Sequence, residues 1–294
     1  MYDVIIIGMG IGGITAAIYA RRSNLKVLIL EKNMPGGLLN NIEKIENYPG
    51  LIDINGFQFA KNLFDQVKHL NIPYKLTEVK EITIDNEDVK IVKTTNEEYQ
   101  TKNIIMATGR KPRFLGLEEE QHFLGRGLST CVVCDGYLFK NKDVAVVGAG
   151  NSALQESLYL ANIANKVYLL NRKDTFNKAD KVLIEKVLQE KRIEIIKNVN
   201  VKKILEKDQK MSGLILDNNQ LLNVEGLFLY IGFLPNSELV QKFNVVDNSG
   251  YILVNENCET KIKGLYAIGD VIKKDIYQLI SATNDGIKAI YDLK

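Results

Sequence analysis

The sequence predicts an α/β protein with two Rossmann-like dinucleotide-binding domains. Three observations lead there. DVIII (3–7), the turn GMGIGG and a helix through TAAIYARRSN lead into KVLILE (26–31). DVAVV (143–147), the turn GAGNSA and a helix through LQESLYLANI lead into KVYLLNRKD (166–174). The two glycine turns are too far apart to belong to one β-α-β unit, which takes about 30 residues.

The remaining elements follow from local patterning. Asn55 to Leu70 has helical periodicity. VKEITI, DVKIVKT and KNIIMAT read as a meander ending in a strand at Ile104–Ala107. VLIEKVLQEK is a further helix. Short strands follow at IEIIK, at residues 199–205 and at SGLIL. GLFLYIGFLP (226–235) is a strand leading to a loop, and KGLYAIGD (263–270) a strand and turn. A helix from about Tyr277 to Leu293 closes the chain.

In the first turn Gly8 permits the tight bend, Gly10 lets backbone approach a pyrophosphate, and Gly13 lets helix pack on strand. The pyrophosphate would lie at the helix N-terminus, against unpaired N–H groups. Glu31 ends the second strand, where an acid accepts from a ribose hydroxyl. The second turn has Gly148, Gly150 and Ala153, but its following strand ends at Asn171, with Arg172 and Lys173 beyond. Cations there suit a 2′-phosphate and favour NADPH over NADH. The alternative is a solvated polar loop.

Composition bounds the function classes. The chain has 294 residues, 46% hydrophobic and 25% charged, enough for a substantial core. Its 38 basic and 36 acidic side chains leave a net charge of +2, which points to neither nucleic acid nor a membrane surface. No run reaches the roughly 18 apolar residues of a membrane helix. MYDVIIIGMGIGG reads as a first strand and not a signal peptide. Three cysteines do not make a disulfide-stapled secreted fold, so a cytoplasmic location is expected.

Cys131 and Cys134 form a CxxC just before the second unit. Zinc needs two further ligands, and Cys258, His69 and His122 lie in no ligand pattern, so no metal is expected. Inert core thiols and a redox dithiol remain. In the redox reading, Asp135 can protonate a departing thiolate. Two dinucleotide sites and a dithiol imply an electron relay. A dithiol accepts hydride poorly and a flavin accepts it well, so the chemistry asks for FAD in one site and NAD(P)H in the other.

These motifs resemble the low-molecular-weight, bacterial-type thioredoxin reductases over essentially the whole chain. The family's C-A-x-C-D-G centre stands here as CVVCDG (131–136), with Val132 in place of Ala. Gly8–Arg21, ENYPG (46–50), ATG (107–109), GFLPN (232–236), YAIGDV (266–271) and QLISATNDG (278–286) match further family segments. The resemblance implies a discontinuous FAD-binding domain, residues 1–113 and 237–294. An NAD(P)H-binding domain carrying the dithiol, residues 114–236, is inserted into it. It implies FAD contacts at Gly8, Gly10, Gly12, Gly13, Glu31, Gly37, Asn47, Thr108, Gly109, Gly269, Asp270, Gln278 and Leu279. Coenzyme contacts are implied at Gly148, Gly150, Asn151, Ser152, Ala153, Arg172 and Lys173. Cys134 would meet the flavin, Cys131 would attack thioredoxin, and family members are homodimers whose inserted domain swings between two arrangements.

The chain departs from the family at three places. NRKDTFN (171–177) stands where H-R-R-x-x-x-R binds the 2′-phosphate, keeping only Arg172. Lys173 keeps charge without the planar fork, Asn171 and Asn177 are neutral, and Lys178 is the nearest further cation. Leu38 replaces the Gln of GGQ, and Tyr277 replaces the Arg before the closing helix. NADH and reduced ferredoxin therefore stay open as donors beside NADPH. A flavin-bound redox sensor is the reading outside enzymes.

Overall fold

A computed structural model describes residues 1–42, 45, 47–52, 54–85, 88–177 and 179–293. The chain divides into two compact units, Met1–Lys111 with Leu234–Lys294, and Pro112–Phe233.

The first unit begins with β1 (Tyr2–Ile7), α1 (Ile11–Arg22), β2 (Val27–Glu31), α2 (Gly56–His69), β3 (Tyr74–Leu76), β4 (Val79–Ile84), β5 (Lys90–Thr94) and β6 (Glu98–Met106). The chain crosses out along β7 (Arg110–Pro112). The second unit holds α3 (Glu120–Phe123), β8 (Leu128–Ser129), α4 (Val132–Asp135), β9 (Asp143–Val147), α5 (Asn151–Ala161), β10 (Lys166–Asn171), α6 (Lys181–Gln189), β11 (Ile193–Lys197), β12 (Val201–Lys207), β13 (Lys210–Leu216), β14 (Leu221–Leu222) and β15 (Gly226–Leu229). The chain returns along β16 (Phe233–Pro235) and finishes the first unit with β17 (Leu265–Ala267) and α7 (Leu279–Asp292). The crossings β7 and β16 pair as a two-stranded sheet.

In the first unit the sheet order is β3-β2-β1-β6-β5-β4. Strand β6 divides its edge: residues 98–101 pair antiparallel with β5, and 104–106 pair parallel with β17. The apolar run of β1 is continuous because both its faces are covered. Val4 and Ile6 join one core with Ile14, Ala17, Val67 and Ile290. Ile5 and Ile7 join the other with Ile82, Val92, Ile104 and Val240. Helix α2 starts where the Asn55 side chain accepts from the Gln58 N–H at 2.8 Å, a side-chain N-cap. Helix α7 begins at Leu279, two residues later than the periodicity suggests, because Gln278 takes the N-cap in a reciprocal box with Ser281.

The second unit repeats the logic with the parallel order β11-β10-β9-β15-β8. Val144 and Val146 of β9 pack with Leu154, Leu160 and Phe228 on one face. Ala145 and Val147 pack with Leu214, Leu216 and Leu227 on the other. Strands β12, β13 and β14 form a separate antiparallel sheet. Among the described residues no helix is long and apolar enough to cross a membrane.

Candidate redox and dinucleotide sites

The first glycine turn joins β1 to α1. Gly8 has φ +111°, and a Cβ there would stand 2.3 Å from Ala107 O. A Cβ on Gly13 would stand 2.1 Å from Gly8 O. Gly8 excludes a side chain through its φ and the backbone just past β6, and Gly13 through the turn itself. Gly10 differs: nothing lies within 4 Å of a Cβ built there. That open cradle, at the N-terminus of a twelve-residue helix, fits a pyrophosphate. Gly37, at φ +55°, lies beside it: a Cβ built there would meet only Gly10 Cα, at 4.0 Å. Gly12 is accounted for by packing. A Cβ on it would stand 3.1 Å from Ala282 O, and one on Gly286 2.6 Å from Gly12 O, so α1 and α7 meet backbone to backbone.

Glu31 is buried, and each of its carboxylate oxygens accepts a backbone N–H. Oε2 accepts from Met9 at 2.7 Å and Oε1 from Asn33 at 2.8 Å. It therefore closes the glycine turn onto β2 as well as ending the strand. Thr108 and Gly109 are tied to Asn236: Thr108 Oγ1 donates to Asn236 O at 2.6 Å. Asn236 returns its Nδ2 to Thr108 O and its N–H to Gly109 O, both at 2.9 Å. The ATG and GFLPN motifs thus form one structure. Asn47 Nδ2 donates to Gln278 Oε1 at 3.0 Å, so these two exposed residues also meet. Leu279 packs with Ile11, Leu39 and Ile45.

Gly269 has φ +74°, and its N–H donates to Asp285 Oδ2 at 3.1 Å. Asp285 is held in turn by Lys274 at 2.8 Å. Asp270 pairs with Arg110 Nε at 2.9 Å, and the guanidinium lies 4.7 Å above the Tyr277 ring. Burial raises the Tyr277 phenol above its ordinary range. The Arg missing at position 277 is thus answered, in this unit, by a cation at 110. Leu38 is half-buried in the short 3-10 turn at 37–41.

The second glycine turn joins β9 to α5. Gly148 has φ +153°, and a Cβ there would meet Tyr230 O at 2.5 Å and the Ala153 side chain at 2.8 Å. Ala153 is fully buried, so a methyl is tolerated where the first turn uses Gly13. Gly150, like Gly10, has nothing within 4 Å. Ser152 is exposed in the first turn of α5. Asn151 is committed: its side chain donates to Asp180 Oδ2 and accepts from the Asp180 N–H, both at 2.8 Å.

Asn171 is buried and braces its own loop, donating Nδ2 to Thr175 O at 2.9 Å and accepting from the Lys173 N–H at 3.0 Å. Arg172, Lys173 and Asn177 are exposed around it. The loop is therefore shaped by Asn171 and carries its charge on Arg172 and Lys173. Glu46 and Lys178, named in the sequence motifs, lie outside the described residues.

The dithiol occupies the same unit as the second turn. Cys131 and Cys134 form a disulfide across the single turn α4, with Cys131 buried and Cys134 exposed. The Cys134 N–H points at Cys131 Sγ at 3.1 Å. The Val132 N–H donates to the Tyr230 hydroxyl at 3.0 Å, while Tyr230 N–H binds Val147 O at 2.8 Å beside the glycine turn. Tyr230 therefore links dithiol and turn. Burial, with the negative charges of Glu156 and Asp135, holds its hydroxyl protonated well above the usual phenol range. Asp135 Oδ2 lies 2.6 Å from Ser129 Oγ. Just beyond, Tyr137 and Leu138 are 73% and 68% exposed, a large apolar pair beside the disulfide. Cys258 is buried in the other unit, remote in sequence, and its thiol is pushed up to about 12, chiefly by burial. Among the described residues no group of His, Cys, Asp and Glu is placed to hold a metal ion.

Ser129, Tyr230 and Arg110 carry no individual signal in the sequence, and Asn236 enters it only as the last residue of GFLPN. The first three could be suspected only from their places: two residues before the CxxC, at the end of a strand beside β9, and directly after ATG.

Residues 2–286 match the family model described as pyridine nucleotide-disulphide oxidoreductase. The chain is 37% identical to a Bacillus subtilis thioredoxin reductase, over 97% of this chain and 92% of that one. It is similar to the crystal structure of Lactococcus lactis thioredoxin reductase, with 34% identity, TM-score 0.92, and coverage of 100% of this chain and 98% of that one. A ferredoxin-flavin thioredoxin reductase from Clostridium acetobutylicum is 29% identical at TM-score 0.54, covering 99% of this chain and 96% of that one. Matched over that length, the chain belongs to the pyridine nucleotide-disulphide oxidoreductases and, within them, to the low-molecular-weight, FAD-dependent thioredoxin reductases.

Proposed function

We propose that this chain reduces the disulfide of a thioredoxin with electrons from NADPH, using FAD and the Cys131–Cys134 pair. The observation that carries the reading is the redox pair itself, tied through Tyr230 to a glycine turn with an open phosphate cradle. When bound, FAD supplies the two-electron chemistry that connects nicotinamide with a dithiol. Gly10, Gly37, Asn47, Thr108, Asp270 and Gln278 would hold it, and Gly150, Arg172 and Lys173 would hold NADPH.

The chain's own part is sulfur and proton chemistry. On reduction the S–S bond breaks, two electrons enter, and two protons complete the dithiol. In this reading Asp135, which directly follows the pair and accepts from the Ser129 hydroxyl, hands a proton to the departing sulfur. The Cys134 N–H favours negative charge on Cys131 Sγ, as a nucleophile requires. The Cys131 thiolate attacks one sulfur of the partner disulfide, giving a mixed disulfide. Cys134 then attacks Cys131 Sγ, which releases the partner as a dithiol and restores the pair. Tyr137 and Leu138 offer the apolar contact a protein partner would cover.

A homodimer in the cytoplasm is the setting this reading carries. One observation favours a second donor: Asn171 spends its side chain on its own loop, so only Arg172 and Lys173 offer charge to a 2′-phosphate. Anaerobic titration of the yellow protein tests both readings. NADPH is expected to bleach the flavin and then release thiols in proportion to added thioredoxin. Tight use of NADH with poor use of NADPH would change the donor. Bleaching by reduced ferredoxin alone would replace the nicotinamide reading altogether.

A further inference from the structure

The acid beside the dithiol does not stand alone. Ser129 is 4% exposed and ends β8, whose register with β15 sets Ser129 opposite Phe228. Its hydroxyl has three polar neighbours: Asp135 Oδ2 at 2.6 Å, the Cys131 N–H at 3.0 Å and Cys131 O at 3.2 Å. A serine hydroxyl has one proton to give. A carboxylate at 2.6 Å is the stronger acceptor, since charge-assisted O–H···O⁻ bonds fall at about 2.5–2.7 Å. The Cys131 N–H takes a lone pair, so one hydroxyl joins the backbone of the first cysteine to the side chain of the acid.

We propose that Ser129 is a positioning residue for reduction of the Cys131–Cys134 disulfide: its hydroxyl, anchored on the Cys131 N–H, aims the Asp135 carboxyl. The arrangement is rigid because β8 is hydrogen-bonded into the sheet and the Cys131 carbonyl also accepts the Asp135 N–H at 3.1 Å. Cysteine and acid thus move as one body. The step it serves is balanced: the S–S bond breaks, the two electrons that NADPH would supply enter the pair, and the departing sulfur takes a proton that the Asp135 carboxylate picks up from water and hands on. The carboxylate is left as it began. The inference rests on the proposed reductase reading for its electron source.

The test uses the full-length, flavin-loaded protein and its Ser129→Ala, Ser129→Thr, Asp135→Asn and Ser129→Ala/Asp135→Asn variants. Flavin bleaching by NADPH is followed first, then the appearance of new thiols in quenched samples, then thioredoxin turnover. S129A is expected to bleach within about twofold of the parent and to form thiols about tenfold more slowly. Its kcat falls with thiol formation while the KM for thioredoxin stays unchanged. S129T, which keeps the hydroxyl, recovers most of the rate. The double variant is no slower than D135N, because Ser129 acts through the acid. Thiol formation by S129A at the parent rate would overturn the proposal. So would a double variant slowed by the full product of the two single effects, the pattern of a merely structural serine. Thioredoxin left unreduced by every form, with thiols still appearing, would remove the partner from the functional reading, and thiol counting would still decide the role of Ser129.

Discussion

Arg110 and Asp270 meet at 2.9 Å, and the same guanidinium covers Tyr277 at 4.7 Å. Both ionic partners are about four-fifths buried, so removing one leaves a charge whose desolvation is only partly answered. Arg110→Ala is expected to loosen flavin, lowering the temperature at which its fluorescence is released. Asp270→Ala is expected to lose more, since it removes the proposed flavin contact itself. Equal flavin retention in R110A and the parent would separate Arg110 from the cofactor.

Two glycines of the same turn are expected to fail differently. A Cβ on Gly13 collides with Gly8 O, a backbone atom that cannot step aside. Gly13→Ala should destabilise the unit by on the order of 1–3 kcal/mol, read by urea unfolding. A Cβ on Gly10 meets nothing, so Gly10→Ala should keep the stability of the flavin-free protein and lose affinity for flavin. A G10A protein that holds flavin as the parent does would refute the assignment of this cradle.

The two sulfurs are expected to play unequal parts. Cys131→Ser and Cys134→Ser should both let NADPH bleach the flavin and both fail to turn over thioredoxin. Cys134→Ser should accumulate a mixed disulfide between Cys131 and the partner, visible by mass spectrometry on intact protein. Accumulation on Cys134 in C131S instead would reverse the roles.

Arg172 and Lys173 carry the exposed charge of the loop that Asn171 shapes. Replacing both by Ala should reduce kcat/KM for NADPH roughly 10- to 100-fold, equivalent to about 1.4–2.8 kcal/mol. NADH use should change little. Asn171→Ala should weaken both coenzymes together, because it releases the loop and not a phosphate contact. Steady-state assays with each coenzyme separate the two patterns.

Cys258 gives a pH signature. Burial raises its thiol from 9.0 to about 12 in the folded chain, which favours the neutral form. Above pH 9 the unfolded chain releases this proton and the folded chain keeps it, so stability falls as pH rises from 9 toward 12. That contribution is fully present below pH 9. Cys258→Ala should lose less stability than the parent between pH 8 and pH 10.5 in urea titrations, by on the order of 1–2 kcal/mol.

What could be seen in the sequence and what could not have separate physical causes. The strands β1 and β9 were legible because both faces of each are buried, leaving unbroken apolar runs against glycine turns. Gly8, Gly13 and Gly148 were legible because backbone geometry forbids a side chain there. Ser129 was not, because its meaning depends on the parallel register of β8 with β15, set by residues far along the chain. Tyr230 reaches a backbone N–H 98 positions away, and Arg110 an acid in the returning segment, pairings that no local period encodes. Turns such as α4, four residues long, are too short to show periodicity at all. Gly12 is the reverse case: a glycine of the nucleotide motif whose closest constraint is the neighbouring helix α7.

The pairing of β7 with β16 has an evolutionary consequence. The chain leaves one unit and comes back to it on adjacent strands, about 4.8 Å apart. A host sheet interrupted at such a place need not be re-routed, since its two cut ends remain neighbours. A second nucleotide-binding unit entering at this position leaves the strand order of the host sheet unchanged.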